Sequence, residues 1–176
     1  NIIEVDTILP ILNEVTIASN NANSPTRAKA GDTVTVSLTA DMEILQPVVS
    51  WTVGGAVASD DTVSYSDLDD GNGATWTASI DLGSGDTDGV VAFTVDYQST
   101  TSNSGLSVTA TSNGSKVTCD NTPPSSFTTG AVTVSGGTVL SGVWNYQNTG
   151  VSVSVPIPKD TTLLYGKVQL QGRVGT

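Results

Sequence analysis

Histidine is absent from this chain. That removes Ser-His-Asp and Cys-His triads, histidine metal ligands and imidazole acid–base chemistry together. The single cysteine, Cys119, excludes an intrachain disulfide. It stands in Val117-Thr118-Cys119, where a small apolar side chain suits a strand, so a half-buried thiol is expected rather than a nucleophile. Aromatic residues are 5% of the chain, which leaves a thin core of Val, Ile, Leu and Ala. Basic residues are few: 6 Lys and Arg against 17 Asp and Glu, a net charge of −11. Phosphate binding needs clustered cations, so no nucleic-acid partner is expected, and anionic membrane surfaces are disfavoured. No apolar run has the length of a membrane span, and no membrane insertion is expected. The acidity fits a surface kept soluble outside the cell, or one that carries cations.

What the chain does contain is alternation. In Ala28 to Ala40, AKAGDTVTVSLTA, a Gly-Asp turn leads into an unbroken period of two. Val34, Val36, Leu38 and Ala40 face one way, and Thr33, Thr35, Ser37 and Thr39 the other, as in a strand with one dry and one wet face. The remaining strands read as its partners. Val15 and Ile17 mark a first strand over Glu14 to Ser19, and Asn20 to Thr26 is a loop of turn formers. Pro47 to Val53 places Val49, Trp51 and Val53 on one face, and Gly54-Gly55 turns the chain. Ala56 to Ser66 holds short edge strands, and Asp67 to Gly73 is an acidic turn. Ala74 to Asp81 points Trp76, Ala78 and Ile80 inward. Leu82 to Asp88 is a loop with room for one helical turn. Gly89 to Tyr97 aligns Val91, Phe93, Val95 and Tyr97. Leu106 to Thr118 alternates again around Asn113-Gly114, a hairpin or bulge signal. No stretch keeps helical periodicity over three turns.

Roughly six to eight short, turn-punctuated strands in about a hundred residues describe an all-β, immunoglobulin-like antiparallel sandwich. The expected organisation is an extended joint over 1–10, the sandwich over 11–119, a linker over 120–124 and a second, incomplete sandwich-like unit over 125–176. Asp6 and Pro10 recur as Asp120 and Pro124, which marks these segments as joints between tandem modules stiffened by proline. The second unit offers strands near Gly130 to Ser135, Val139 to Asn145, Val151 to Pro156 and Lys167 to Gln171. It is short for a sandwich, and continuation of the chain, strands from a neighbouring copy, or a small complete domain would each account for that. The start at Asn1 without a signal peptide reads as a mature or excised piece of something longer.

AKAGDTVTVSLTADMEI, GATWTASIDL and GDTDGVVAFTVDY resemble, in this order, bacterial immunoglobulin-like repeats of large surface proteins. TPPSSFTTGAVTVSGGTVLSGVWN resembles the start of a following repeat. The resemblance spans Asp6 to about Trp144. It implies a structural module of an extracellular adhesin stalk, fibre or surface layer at the cell surface, with neighbouring modules or copies of itself as partners, and calcium at its joints. In that family the loop after the Phe93 strand often carries Asp-x-x-Gly-Asn; here it reads Thr100-Thr101-Ser102-Asn103-Ser104, without the aspartate.

Two carboxylate groups are candidate Ca2+ ligands. Asp67, Asp69 and Asp70, in DLDDGNG, supply the close-set oxygens that calcium takes, although Gly71 interrupts a helix-loop-helix ligand pattern. A hairpin turn using Asp and Gly for its backbone angles is the simpler reading. Asp6 and Asp120, with Glu4 and Asn121 nearby, would repel at a joint unless a cation lay between them; each also reads as a cap of a turn before proline. Asp60 with Asp61, and Asp86 with Asp88, read as exposed loop acids. Asn113-Gly114-Ser115 is a glycosylation sequon by pattern. No catalytic set is found, and no enzyme activity is expected. The alternative function is a module whose loops bind a glycan or protein, with Trp144-Asn145-Tyr146-Gln147 as its candidate cluster.

Overall fold

The computed structural model describes residues 6–69, 73–141, 143–157, 159 and 169. It divides into two compact units, Asn1–Thr122 and Pro123–Thr176, and every regular element among the described residues is a strand.

The first unit holds β1 (Leu12–Ser19), β2 (Arg27–Ala28), β3 (Thr33–Ala40), β4 (Val48–Val53), β5 (Ala56–Val57), β6 (Ser64–Asp67), β7 (Thr75–Asp81), β8 (Gly89–Asp96) and β9 (Val117–Cys119). One sheet has the order β1-β3-β7-β6 and the other β2-β9-β8-β4-β5. All pairings are antiparallel except β2 with β9. This is the two-sheet arrangement of an immunoglobulin-type sandwich.

β3 is central in the first sheet, and its alternation is complete: Val34, Val36, Leu38 and Ala40 are buried and the residues between them half-buried. β4 and β8 meet it from the other sheet with Val49, Trp51 and Val53, and with Val91, Phe93 and Val95. Trp51 packs edge-on against Phe93, with ring centroids 6.2 Å apart. The two rings are cross-strand neighbours on β4 and β8 and belong to the buried core. A polar tie joins the sheets as well. The Tyr65 hydroxyl on β6 accepts the Val49 N–H at the start of β4, at 3.0 Å.

Turn chemistry sets the registers. Val53 pairs with Ala56 across Gly54-Gly55, and both glycines have positive φ (58° and 85°). That is the combination a two-residue hairpin with right-handed strand twist requires. The edges β2 and β5 are two residues each, too short to template pairing with another chain. β1 is an eight-residue edge. Its outward N–H groups at Val15 and Ile17 donate to the hydroxyls of Ser112 (3.1 Å) and Ser115 (3.0 Å).

Several expectations change. Leu106 to Thr118 is not a hairpin: Val108 makes one bridge to Val95, and only Val117–Cys119 is strand. The serines of this segment turn toward β1, and that competes with ladder pairing. Leu82 to Asp88 forms a turn without a helix. Cys119 is fully rather than half buried. In the second unit, β10 (Val132–Ser135) pairs with β11 (Gly150–Val153), and Leu140 bridges Val143 where a longer strand was expected. The segment Lys167 to Gln171 lies outside the described residues apart from Gln169.

Leu38 is 1% exposed and Val90 is 54% exposed. Leu38→Ala is expected to lower the unfolding free energy by about 2–5 kcal/mol, through lost transfer energy and an unfilled cavity. Val90→Ala should stay within about 0.5 kcal/mol. Urea denaturation followed by tryptophan fluorescence measures both.

Candidate functional site

The candidate residues fall at the two ends of the sandwich. The end of β8 and the start of β1 define an entry pole; the start of β8 and the end of β9 define an exit pole. Sixteen of the acidic residues, against three of the basic ones, lie in 1–122. Most of these acids stand in loops at the poles, so their local charge has to be met there.

Asp6 is at the entry pole. Its carboxylate accepts the Ile8 N–H at 2.9 Å and the Thr101 hydroxyl at 2.6 Å. Asn103 donates its amide to the Asp6 carbonyl at 3.1 Å. Ser102 between them has φ of 69°, a left-handed conformation unusual for serine. The Thr101 hydroxyl and the Ile8 N–H hold the Asp6 carboxyl below its usual range. An aspartate facing Asp6 from this loop would need a cation between the two; a threonine donates to Asp6 directly.

Asp120 is at the exit pole, and the structure does not bring it to Asp6. Gly89 pairs with Cys119 at one end of β8, while the Ser99–Asn103 loop follows its other end. Eight residues of β8, at ~3.3 Å each, separate the two aspartates by on the order of 25 Å. Both lie in the first unit, one near its start and the other near its end. Both cap turns: Asp120 accepts the Thr122 N–H at 3.3 Å.

The exit pole is organised by Asn121, a neighbour of the Asp120 candidate, and by Asp86 and Asp88, expected as exposed loop acids. Asp86 is buried and is not an exposed loop acid. It accepts the Ser59 N–H at 2.7 Å and the Gly83 N–H at 2.8 Å. Asp88 accepts the Asn121 N–H at 2.5 Å and the Thr122 hydroxyl, which hold its carboxyl below the usual range. Asn121 accepts the Ala30 N–H at 2.7 Å and donates to the carbonyls of Gly83 (3.1 Å) and Asp86 (3.0 Å). One side chain thus fastens the departing chain to two loops. Asp32 accepts Asn21 Nδ2 at 2.7 Å and the Lys29 N–H at 2.9 Å, with the Lys29 ammonium 3.5 Å away. Burial pushes its carboxyl up, but the Asn21 and Lys29 hydrogen bonds and the Lys29 charge outweigh this and leave it lowered. Burial, and then the surrounding aspartates, push the Cys119 thiol up to about 11, so it is protonated and inert at neutral pH.

Asp67 and Asp69 lie at the entry pole, where Gly73 accepts the Ile44 N–H; Asp70 lies outside the described residues. Asp69 Oδ2 accepts the N–H groups of Ala74 (2.9 Å) and Thr75 (3.1 Å), while its Oδ1 is buried without a partner among the described residues. Their mutual contact raises the Asp67 carboxyl and lowers that of Asp69. An orphaned carboxylate oxygen beside a second carboxylate fits a hard cation, which takes oxygen ligands. Among the described residues no group of three or more acidic, Cys or His side chains converges on one point.

A pocket lined by Gln46, Val48, Asp96, Tyr97, Gln98 and Ser104 has a volume of about 170 Å³, below the ~300–1,000 Å³ of typical small-molecule sites. The second unit presents a different feature. Asn148 is buried, donates to the carbonyls of Gly136 (2.8 Å) and Thr138 (3.3 Å), and accepts the Asn145 N–H at 2.7 Å. Asn145 donates to Thr138 O at 2.8 Å and accepts the Gln147 N–H at 2.9 Å. This turn presents Trp144 and Tyr146 at 55% and 94% exposure.

Comparison with protein-family models, with curated proteins and with solved structures returned no match.

The lowered carboxyls set the acid response. A folded-state value below the ordinary 3.8 means that the unfolded chain binds more protons. The stabilisation is therefore complete above about 3.8 and is lost as pH falls through the folded values. The urea midpoint of the first unit should hold level down to about pH 5 and drop as the pH falls below about 4, and Asp32→Ala should flatten that drop while lowering the midpoint at about pH 6.

Proposed function

We propose that this chain is a structural module of an extracellular bacterial surface assembly, a spacer or building block of an adhesin stalk, fibre or surface layer. The observation that carries this reading is mechanical. The chain enters the sandwich at one pole and leaves at the other, and side-chain hydrogen bonds fasten both points: Thr101 and Asn103 to Asp6, and Asn121 to Ala30, Gly83 and Asp86. Between them, β2 and β9 run parallel, with Thr118 N–H donating to Thr26 O at 3.0 Å and Asp120 N–H to Ala28 O at 2.9 Å. Tension between the ends pulls these strands in opposite directions along their own axes. Their hydrogen bonds are then loaded together rather than unzipped one at a time, which suits a load-bearing module. The family resemblance of Asp6 to Trp144 supports the same role and its location at the cell surface. Partners in this reading are neighbouring modules or further copies. No catalytic chemistry is assigned.

Calcium belongs to the proposal at Asp67 and Asp69. A bound cation there would satisfy the orphaned Asp69 oxygen, relieve the repulsion between the two carboxylates and stiffen the entry pole. Single-molecule pulling on tandem copies tests the reading. One abrupt rupture per copy is expected, at a force that Thr118→Pro lowers by removing a ladder donor. Calcium should raise that force over chelator, and Asp69→Asn should erase the difference. Featureless extension at low force sinks the structural role, whereas a strong rupture indifferent to calcium sinks only the cation.

A second reading, a loop-mediated glycan- or protein-binding module, is favoured by the turn that holds Trp144 and Tyr146 in solvent. Large exposed aromatics on a fixed turn present flat apolar faces at small entropic cost, as binding loops do. Tryptophan emission titrated with bacterial and host polysaccharides should shift in the intact chain and stay unchanged in a Trp144→Ala, Tyr146→Ala double variant. No response to any polysaccharide in the intact chain removes the glycan form of this reading.

A further inference from the structure

The loop that covers the β1 edge contains Asn113-Gly114, and its geometry is suited to covalent change. Asn113 Oδ1 accepts the Ser115 N–H at 2.9 Å, so the side-chain amide is folded over the following backbone. Gly114 is exposed, has φ of 73°, and its N–H has no acceptor among the described residues. Nothing lies within 4 Å of the position where a Cβ would stand on it. The amide nitrogen is therefore free to lose its proton to solvent base, and no side chain obstructs its approach to the neighbouring carbonyl carbon.

We propose that Asn113 is a self-modifying site that deamidates through a cyclic imide, and that this change opens the β1 edge. The Gly114 nitrogen, its proton given to hydroxide or a buffer base, bonds to Asn113 Cγ. Negative charge then gathers on Oδ1, the atom that already accepts the Ser115 N–H, so a backbone donor stands in place for the tetrahedral intermediate. The Cγ–Nδ2 bond breaks, and ammonia leaves with a proton taken from water. Water then opens the imide. Attack at Cγ gives aspartate. Attack at the former main-chain carbonyl gives isoaspartate, in which the chain runs through Cβ and Cγ. The sum is asparagine plus water going to aspartate or isoaspartate plus ammonia, with no oxidant or reductant.

The consequence follows from the two neighbouring serines. Ser112 Oγ accepts the Val15 N–H, the Ser112 N–H donates to Val15 O at 2.8 Å, and Ser115 Oγ accepts the Ile17 N–H. These bonds occupy the outer edge of the longest edge strand in the first sheet. Isoaspartate adds one backbone atom between the serines and removes the side-chain acceptor of the Ser115 N–H. The two hydroxyls can then no longer match the fixed spacing of Val15 and Ile17 together. An uncovered eight-residue edge is a template for pairing with a second copy.

The test is incubation of the whole chain at mildly alkaline pH and 37 °C, with peptide mass spectrometry, isoaspartate quantification, hydrogen exchange and light scattering on one time course. Asn113 should be converted faster than Asn103, Asn121 and Asn145, none of which precedes glycine. Exchange at Val15 and Ile17 should accelerate by about tenfold or more as isoaspartate accumulates, while the Val36 amide in the sheet centre stays protected. Scattering mass should rise with it. Asn113→Ser, which cannot cyclise by this route, should show no acceleration at Val15 and Ile17, whatever isoaspartate forms at the other Asn-Gly pair, Asn72-Gly73. Asn113→Asp, which adds the charge without lengthening the backbone, should keep the Val15 and Ile17 amides protected. Asn113 remaining intact while a free peptide of the same sequence deamidates overturns the site. Isoaspartate forming with unchanged exchange at Val15 and Ile17 overturns the edge mechanism.

Discussion

The inward face of β3 against the Trp51–Phe93 pair is the contact on which the first unit depends. With one cysteine there is no covalent staple, and with aromatics so few the two sheets must close on short aliphatic side chains. Val34, Val36 and Leu38 from one sheet meet Val53, Val91 and Val95 from the other, and all are buried. Side chains of this size hold the sheets at their ordinary spacing only where alternation is unbroken, because a one-residue slip turns the whole set toward water. The two rings then fill the volume that aliphatic residues leave.

Once that core is closed, chemistry is left to the ends. The poles carry most of the acids, and three different physical solutions appear there. Asp6, Asp86 and Asp88 are satisfied by hydroxyl and backbone donors. Asp32 combines an amide donor with the one ammonium near it. Asp67 and Asp69 take backbone N–H groups as well, but they stand in contact with each other and, among the described residues, Asp69 Oδ1 has no partner. The proposed calcium is therefore assigned to the pair that keeps an unmatched oxygen, Asp69 Oδ1 beside Asp67. The same economy governs the strand edges: two are cut short, and the longest is covered by serine hydroxyls instead of a neighbouring strand.

Much of this fold is legible from pattern. The alternation of Thr33–Ala40, Val48–Val53, Thr75–Asp81 and Gly89–Asp96 is local, and the paired glycines after Val53 specify a tight hairpin through backbone sterics alone. The segment from Leu106 to Thr118 alternates as well, yet most of it is loop. Alternation says which residues share a face, not whether a partner strand is present, and here β1 draws Ser112 and Ser115 away from ladder pairing. The site was less legible. Asp6 and Asp120 match in sequence and were expected at one joint, but a sandwich crossed from end to end puts its first and last residues at opposite poles. Neither Asn121 nor Asp86 stands in a motif that shows its role. Their partners lie about thirty to ninety residues away in the chain.

The sequence by itself determined the class of structure, the faces of the main strands, the absence of histidine chemistry and of an intrachain disulfide, and the excess of negative charge. These follow from composition and from periods of two residues, which need no knowledge of what lies across the core. Only the tertiary structure decided which acids are answered by hydrogen bonds and which are not, where the chain enters and leaves, and that two serines cover the edge of β1. Those outcomes depend on contacts between segments far apart in the chain, whose meeting is set by the packing of the two sheets.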